Sequence, residues 1–330
     1  MSEYKNKRVL VFGGLGFMGV NLCQRLFFDG AKLCIFDLNI TDQVQKNLKD
    51  LNIKSVRGDI TVLGDYLKVV SEAEIIFNLA GRSGATASME NPFLDLKVNG
   101  FGVLNILETA RLHNPKVKIV FPGSRLQFGK VEKVPVAEDH PMRPTSLYGI
   151  HKLLGENYHL SYHHFYGLNT CVLRFSNPYG PHLRMKKPEY NIFNYFIELA
   201  LQKGVLKIYG EGSQIRDYIF IGDVVDALLA VGISKAANGE VFNVGSGVGT
   251  AFIEAAKVIV KVVGKGRIEQ ISWPKQAQNL ETGDYIADIT KIKKVLGWEP
   301  KYSLTSGIEK TVVWVKQKKD DFYASLEEQS

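Results

Sequence analysis

Arg8-Val-Leu-Val-Phe12 runs straight into Gly13-Gly14-Leu15-Gly16-Phe17-Met18-Gly19. The first part reads as a buried strand, the second as a tight turn opening a helix. That turn contains both GxxGxxG and GxGxxG. Residues without Cβ let the backbone turn sharply and come close to a pyrophosphate, while the helix directs its N-terminal amides and dipole at the phosphates. Gly13, Gly16, Phe17, Met18 and Gly19 are the contacts this predicts. The next apolar run, Leu33-Cys-Ile-Phe36, ends in Asp37. It stands about 20 residues beyond the turn, where a carboxylate can accept from both ribose hydroxyls. Asp37 repels a 2′-phosphate and Leu38 offers no arginine to receive one, so NAD is expected rather than NADP. Asn39 joins Asp37 among the candidate cofactor contacts. The alternative reading of Asp37 is an ordinary strand-end turn residue.

Similar runs recur along the chain: Ile53-Lys-Ser-Val56, Glu74-Ile-Ile-Phe-Asn78, Val117-Lys-Ile-Val-Phe121, Thr170-Cys-Val-Leu-Arg174 and Glu240-Val-Phe-Asn-Val244. Most lack period-two alternation, which implies burial on both faces, and they alternate with helical stretches. The expected fold is therefore α/β, a doubly wound (Rossmann) parallel sheet. Asp59-Ile60 and Leu79-Ala80-Gly81 close the third and fourth strands and suit an adenine edge and a ribose wall; each is otherwise a plain strand-end turn. After Arg174 the rhythm loosens. Pro178, Pro181, Pro188 and the basic run Arg184-Met-Lys-Lys187 read as a loop leaving the sheet. A helix near Asn191–Lys203 and the strand Leu206-Lys-Ile-Tyr209 follow. The predicted division is a dinucleotide-binding domain of 1–177 plus 217–248, with a smaller discontinuous α/β lobe of 178–216 plus 249–330. The last dozen residues look loosely tied down.

Composition narrows the function classes. The 330 residues are 45% apolar and 23% charged, ordinary for a soluble globular protein. The net charge of +7 suits an anionic ligand, but the basic residues form no block and no stripe interleaved with aromatics, so nucleic acid is not expected. The three cysteines, Cys23, Cys34 and Cys171, fall in apolar contexts without a CxxC and read as buried thiols of a reducing compartment. His159, His163 and His164 lack other ligand types nearby and read as a solvated helix end, with no metal site. No apolar run approaches the roughly 18 residues that span a bilayer. With a first strand opening at Lys7, no signal peptide and no membrane are expected, and the protein should be cytoplasmic.

The reactive candidates lie further on, at Tyr148-Gly-Ile-His-Lys152. Positions i and i+4 share a helix face, so phenol and ammonium sit side by side. That ammonium, together with a positive nicotinamide ring, would lower the phenol pKa toward neutrality and make Tyr148 a usable base. Pro144-Thr-Ser146 is a plausible helix start before it. The fifth strand ends in Gly123-Ser124, and Ser124 would hold a substrate oxygen against Tyr148.

Taken together, these motifs make the chain resemble the extended short-chain dehydrogenases, the superfamily of nucleotide-sugar 4-epimerases, dehydratases and decarboxylases. The matches run almost end to end. They add Asn91-Pro92, Asn99-Gly-Phe-Gly-Val-Leu-Asn105, Arg174-Phe-Ser-Asn-Pro-Tyr-Gly-Pro181, Gly210-Glu-Gly-Ser-Gln-Ile-Arg-Asp-Tyr218, Phe242-Asn-Val-Gly-Ser246, Ala287-Asp288 and Leu296-Gly-Trp-Glu-Pro300. The resemblance implies that Asn99 also serves the cofactor. It implies that Tyr148 takes the C4 hydroxyl proton while C4 gives hydride to the nicotinamide, leaving a 4-keto sugar. It further implies that Asn177 and Arg216 hold the diphosphate of a nucleotide-diphosphate sugar and that the stretch near Asn191 packs on the base. Asn177 could instead brace the turn before Pro178, and Arg216 could pair with Asp217. Relatives pair through helices around Leu94–Arg111 and Leu147–Phe165, so a homodimer is implied too.

Within that superfamily, dehydratases carry an Asp-Glu pair directly after the catalytic hydroxyl; here those positions are Arg125 and Leu126, and neither shuttles a proton at neutral pH. Decarboxylases resemble this chain but carry Glu at the Leu126 position, and 3,5-epimerases use a nearby cysteine that is missing here. What remains is a C4 epimerase, or a 4-keto-sugar reductase drawing its dinucleotide from solution. A non-enzymatic NAD(H) sensor would have lost Ser124, Tyr148 or Lys152. Related epimerases also have an Arg in an R-x-G-D stretch at the diphosphate, where this chain reads Glu281-Thr-Gly-Asp284. Either that loop is reset or Glu281 binds a ribose or sugar hydroxyl. Arg125 or Arg82 could read an acidic sugar such as a uronic acid; a solvated or cofactor-facing arginine is the other reading of both.

Overall fold

Alternate residues of each central strand point to opposite faces, and here both faces are dry. In β1 (Arg8–Phe12), Val9 and Val11 enter one apolar cluster while Leu10 and Phe12 enter another. That is why the strand sequences show no alternation. A computed structural model describes residues 2–183 and 191–317. The basic run Arg184–Lys187, Pro188 and the last dozen residues lie outside the described residues.

Beyond β1 the strands are β2 (Lys32–Asp37), β3 (Lys54–Arg57), β4 (Ile75–Asn78), β5 (Lys118–Ser124), β6 (Asn169–Phe175), β7 (Asn177–Tyr179), β8 (Val205–Tyr209), β9 (Ile215–Phe220), β10 (Glu240–Val244), β11 (Gly249–Ala251) and β12 (Arg267–Ile271). Seven of them form one parallel sheet in the order β10-β6-β5-β4-β1-β2-β3. Helices flank it on both sides, giving the doubly wound α/β fold. Phe17–Phe28 and Ile221–Ile233 cover one face, Val103–His113 and Leu147–Tyr166 the other. The chain winds outward in both directions from between β1 and β4, so the loops leaving those two strands part there and open a crevice.

Two smaller sheets stand beside the large one: β11-β9-β7 and the parallel pair β12-β8. Asp217 of β9 joins the first of these to the end of the central sheet. Its buried carboxylate accepts from Ser246 N (2.7 Å), Ser246 Oγ (2.7 Å), Gly247 N (3.1 Å), Ala287 N (3.1 Å) and Ser176 Oγ (3.3 Å). Arg216 and Asp217 are consecutive on a strand and face opposite ways. The pairing of Arg216 with Asp217 considered from the sequence does not occur.

Two further sequence expectations are corrected. His159 is fully buried, not solvated: its ring stacks on Phe121 at 4.6 Å, and Nδ1 bonds Gly155 O at 2.7 Å. Burial pushes its pKa down to about 4. It lies on the face of the Leu147–Tyr166 helix that meets β5, whereas His163 is half-buried and His164 exposed. Cys23 and Cys171 are buried as expected, but Cys34 is only partly so. Among the described residues no helix is long and apolar enough to cross a membrane.

Asp217→Ala strands several buried donors at once, each worth on the order of 1–3 kcal/mol when left without a partner. A clear fall in the urea midpoint is expected, with a smaller fall for Asp217→Asn. An unchanged midpoint in the alanine variant would show that this carboxylate does not hold the lobe.

Candidate active site

The Gly13–Gly19 turn sits at that crevice, and its shape excludes side chains. Gly13 has φ +69°, and a Cβ there would lie 2.7 Å from Ala80 N. A Cβ on Gly19 would lie 2.1 Å from Gly13 O. At Gly16 the space is more open, and this residue caps the Phe17–Phe28 helix without a side-chain hydrogen bond to its first amides. Those amides and the helix dipole form an anion-binding end, so the residues present fit a dinucleotide pyrophosphate. Phe17 and Met18 pack partly against the core in the first turn of that helix. Asp37 ends β2, with Oδ2 accepting from Leu15 N (3.0 Å) and Oδ1 from Asn39 N (3.0 Å). Burial pushes its carboxyl pKa up, against these amides, which pull it down. Leu79, Ala80 and Gly81 leave β4 beside Gly13. Asp59 caps its own turn through Thr61 N (2.8 Å), and the Ile60 side chain packs in the core against Gly102. Linear reading missed Arg57, exposed on β3 and in register with Asp37.

The helix Leu147–Tyr166 starts at Ser146, whose side chain accepts from Gly149 N at 3.2 Å. Its first turns bring Tyr148 and Lys152 onto one face. Ser124, at the end of β5, lies close enough to the Tyr148 phenol to lower its pKa. Lys152 Nζ donates to Pro122 O (2.8 Å) and stands 5.9 Å from the Tyr148 ring centre and 4.7 Å from that of Phe121. The three expected catalytic side chains thus meet in one place. The expected lowering of the phenol involves a nicotinamide ring as well as Lys152; burial within the chain acts the other way. Burial pushes the phenol up to about 12, against the lowering effect of Ser124, and pulls the Lys152 ammonium down to about 8. Within the chain alone, desolvation outweighs the effect of Ser124, and the Asp95 carboxylate raises the phenol further.

Behind this group lie buried partners that the sequence did not single out. Ser124 N donates to Gln127 Oε1 (2.6 Å), and Ser124 Oγ accepts from Leu126 N (3.2 Å). This is a capping box over a single 3₁₀ turn, Arg125–Gln127. Gln127 donates to Glu156 (2.6 Å), and Glu156 takes a two-pronged bond from Arg174 at 2.9 and 2.6 Å. The spacing Ser124-x-x-Gln127 carries the capping signal in the sequence; Glu156, on the catalytic helix, has none. On the other side His151 Nδ1 meets Asp95 Oδ1 at 2.6 Å, and Asn99 Nδ2 donates to that same oxygen at 3.1 Å. Asn99 lies in a π-helical turn, Lys97–Gly102, and its amide clamps Arg82 N and O, both at 3.0 Å. Asn99 therefore shapes the wall at Gly81 and Arg82. The Arg82 Nε is buried without a partner among the described residues.

The candidate substrate contacts form a second cluster. Arg125, adjoining Ser124, donates from Nε to Asn177 Oδ1 (3.0 Å) and from Nη1 to Thr282 Oγ1 (3.1 Å). Asn177 in turn donates to Asp217 O (2.9 Å), so it braces the strand as well as facing Arg125. Arg216 donates to Gly283 O (2.7 Å) and is ion-paired with Glu281. The Glu281 oxygen bound to Arg216 also accepts from Gly283 N (2.8 Å). Asn191 caps the helix Ile192–Leu201 through Asn194 N (3.1 Å) and donates to Pro178 O (2.8 Å). Its amide is thus engaged within the chain. Among the described residues no group of three His, Cys, Asp or Glu could hold a metal ion.

The sequence profile of the GDP-mannose 4,6-dehydratase family matches residues 10–311. A UDP-glucose 4-epimerase of Mycolicibacterium smegmatis is 32% identical over 317 residues, covering 94% of this chain and 99% of the relative. A UDP-glucuronate 4-epimerase of Thermodesulfobacterium geofontis is 31% identical over 323 residues, 93% of this chain and 96% of the relative. Among solved structures, the UDP-glucose 4-epimerase of Thermotoga maritima with UDP-glucose superposes with a TM-score of 0.85 at 30% identity, covering 94% of this chain and 98% of that one.

Two variants test the geometry. Lys152→Met should weaken NAD binding yet raise stability at pH 7. The sign follows from its depressed pKa: between about 8 and the ordinary 10.5 the unfolded chain holds more protons, so the buried ammonium is unfavourable below that window and the disadvantage fades through it. Denaturation at pH 7 and pH 10 should show the gain shrinking; equal gains at both would refute the assignment. Asp37→Ser should weaken NAD and admit NADP, with Arg57 in register to receive the 2′-phosphate. Unaltered NAD-over-NADP preference by titration would count against Asp37 as the ribose ligand.

Proposed function

The chain belongs to the GDP-mannose 4,6-dehydratase family of NAD-dependent enzymes acting on nucleotide sugars, and from that membership we propose that it epimerises a nucleotide-diphosphate sugar at C4. One observation carries the choice. Ser124, Tyr148 and Lys152 are complete beside the dinucleotide cradle, while the two positions after Ser124 hold Arg125 and Leu126. Elimination of water across C5 and C6 needs an acid and a base there. Arg125 keeps its proton at neutral pH even though burial lowers its pKa to about 10, and Leu126 has none to give.

Bound NAD supplies a reversible hydride acceptor. The chain's own residues manage the proton and the oxygen. Ser124 holds the C4 oxygen by its hydroxyl, and Tyr148 takes the hydroxyl proton and returns it once the 4-keto sugar has turned over. Lys152 keeps two N–H groups beyond its bond to Pro122 O, enough to hold a ribose hydroxyl. Its positive charge, with the nicotinium ring, offsets the desolvation that raises the phenol. No further acid or base is needed for C4 inversion. Relatives of this chain act on UDP-glucose and UDP-glucuronate, and a UDP-sugar is the first substrate to test. The homodimer implied by resemblance is supported by apolar side chains left bare on the two relevant helical stretches: Phe93, Phe101, Ile150 and Phe165.

One observation favours the other outcome, reduction of a 4-keto sugar. Arg57 beside Asp37 puts a cation at the ribose edge, where NADPH carries its extra phosphate.

An epimerase returns hydride to the same sugar, so its dinucleotide is used and restored in every cycle. The purified protein should interconvert a nucleotide sugar and its C4 epimer without net NADH consumption, and C4 deuterium should be retained in the product. Tyr148→Phe should lower turnover by at least about a hundredfold, the scale of a lost general base. Stoichiometric oxidation of NADPH by a 4-keto sugar, with no interconversion across the common UDP-, dTDP-, GDP- and CDP-sugars, would establish the reductase instead.

A further inference from the structure

Arg125 is a half-buried cation with no carboxylate of its own. Among the described residues its only polar partners are the neutral Asn177 and Thr282, and Nη2 has none. The other arginine of the cluster, Arg216, is neutralised by Glu281. Two phenols near them, Tyr218 and Tyr285, are 6% and 2% exposed, and neither hydroxyl has a partner among the described residues. The Arg125 guanidinium stands 5.8 Å from the Tyr285 ring centre. Arg216 and Arg125 repel one another, and desolvation opposes charge on Arg125, so the site holds an excess of partly buried positive charge one residue from Ser124. Such charge is tolerated when an anion completes it. The sequence pattern adds a reason for its position: where related epimerases place an arginine, this chain has Glu281, which removes a charge instead of adding one.

We propose that Arg125, rather than Arg216, is the cation that binds an oxyanion of the nucleotide sugar, and that Glu281 tunes the site by neutralising Arg216. This rests on the nucleotide-sugar reading above. The oxyanion is either the diphosphate or a carboxylate on the sugar; both suit a forked guanidinium donor, and Arg125 retains an unused Nη2.

Calorimetry on the NAD-loaded protein separates the sources. A thermal-shift screen of UDP, dTDP, GDP and CDP first identifies the nucleotide that wild type binds; no binding by any of them, or by their glucose conjugates, overturns the nucleotide-sugar reading itself and this proposal with it. Arg125→Met should then weaken binding by about ten- to a hundredfold, the scale of lost charge-assisted hydrogen bonds. Weakening of the free diphosphate assigns Arg125 to the phosphates. Weakening confined to the glucuronate conjugate, with the diphosphate and the glucose conjugate unaffected, assigns it to a sugar carboxylate. Glu281→Gln should tighten binding severalfold, because it releases the charge of Arg216. That gain is the readout a merely bracing cluster would not give. Unchanged affinity for all three ligands in Arg125→Met, or weaker binding in Glu281→Gln, overturns the proposal.

Discussion

Three chain segments meet at the crevice between β1 and β4 with no room for a single Cβ. The turn after β1, the first turn of the Phe17–Phe28 helix and the exit from β4 touch through backbone atoms at Gly13, Gly19 and Ala80. The contact brings the helix N-terminus close enough to the strand end to serve a pyrophosphate. Asp37 is then tied to the same turn by the amide of Leu15. The position of everything downstream is measured from this point. β4 must leave past Ala80, and its exit residues Gly81 and Arg82 lie against Asn99 and near Lys152. A bulkier residue at Gly13 or Gly19 would push apart the cofactor cradle and the catalytic wall together.

A second constraint holds the catalytic residues in register. Ser124 ends one strand, Arg174 lies on the next, and Tyr148 and Lys152 ride on the helix packed over both. Glu156, two turns along that helix from Tyr148, bonds Arg174 and Gln127 at once, and Gln127 holds the Ser124 amide. Helix, strand and catalytic loop are therefore fixed by one buried carboxylate. Such a pair gives little net stability against an apolar substitute, because desolvation of the ions offsets their attraction. What it supplies is direction: both oxygens of Glu156 accept from defined donors, so the helix cannot slide along β6 without breaking them. Asp95 plays the same part on the opposite side through His151 and Asn99.

The contrast between these residues explains how much the sequence disclosed. Glycines and Asp37 are legible because their role is set by spacing along the chain, and Tyr148 with Lys152 because a helix converts four residues of separation into a shared face. Six of the seven strands are legible for a related reason, since burial on both sides leaves apolar runs; β3, at the sheet edge, has no buried residue. Partners joined across the fold leave no such trace. Glu156 finds Arg174 from 18 residues away and Gln127 from 29, and Asp95 finds His151 from 56. His159 was misread for the same reason, since only the packing of its helix against β5 shows which way the ring turns. Glu281 stands out in the sequence, because the resemblance implies a cation at that position. Its ion pair with Arg216 depends on two strands and a loop being brought together.

Burial acts against charge throughout this site, raising the Tyr148 phenol and lowering the Lys152 ammonium and the Arg125 guanidinium. Each shift disfavours the charged form that the chemistry uses. The consequence is a site whose electrostatics are completed by what it binds. An oxyanion beside Arg125 favours the guanidinium, and a cationic ring beside Tyr148 favours the phenolate, each by Coulomb attraction in a medium that screens weakly. A low-dielectric pocket therefore strengthens the response to ligands of the right charge. It also ties proton removal to occupancy: with burial holding the phenol near 12, Tyr148 ionises, and so becomes available as a base, when the neighbouring positive charge is in place. A base that ionises only in the assembled complex takes the hydroxyl proton where the carbon bearing that hydroxyl can give up its hydride.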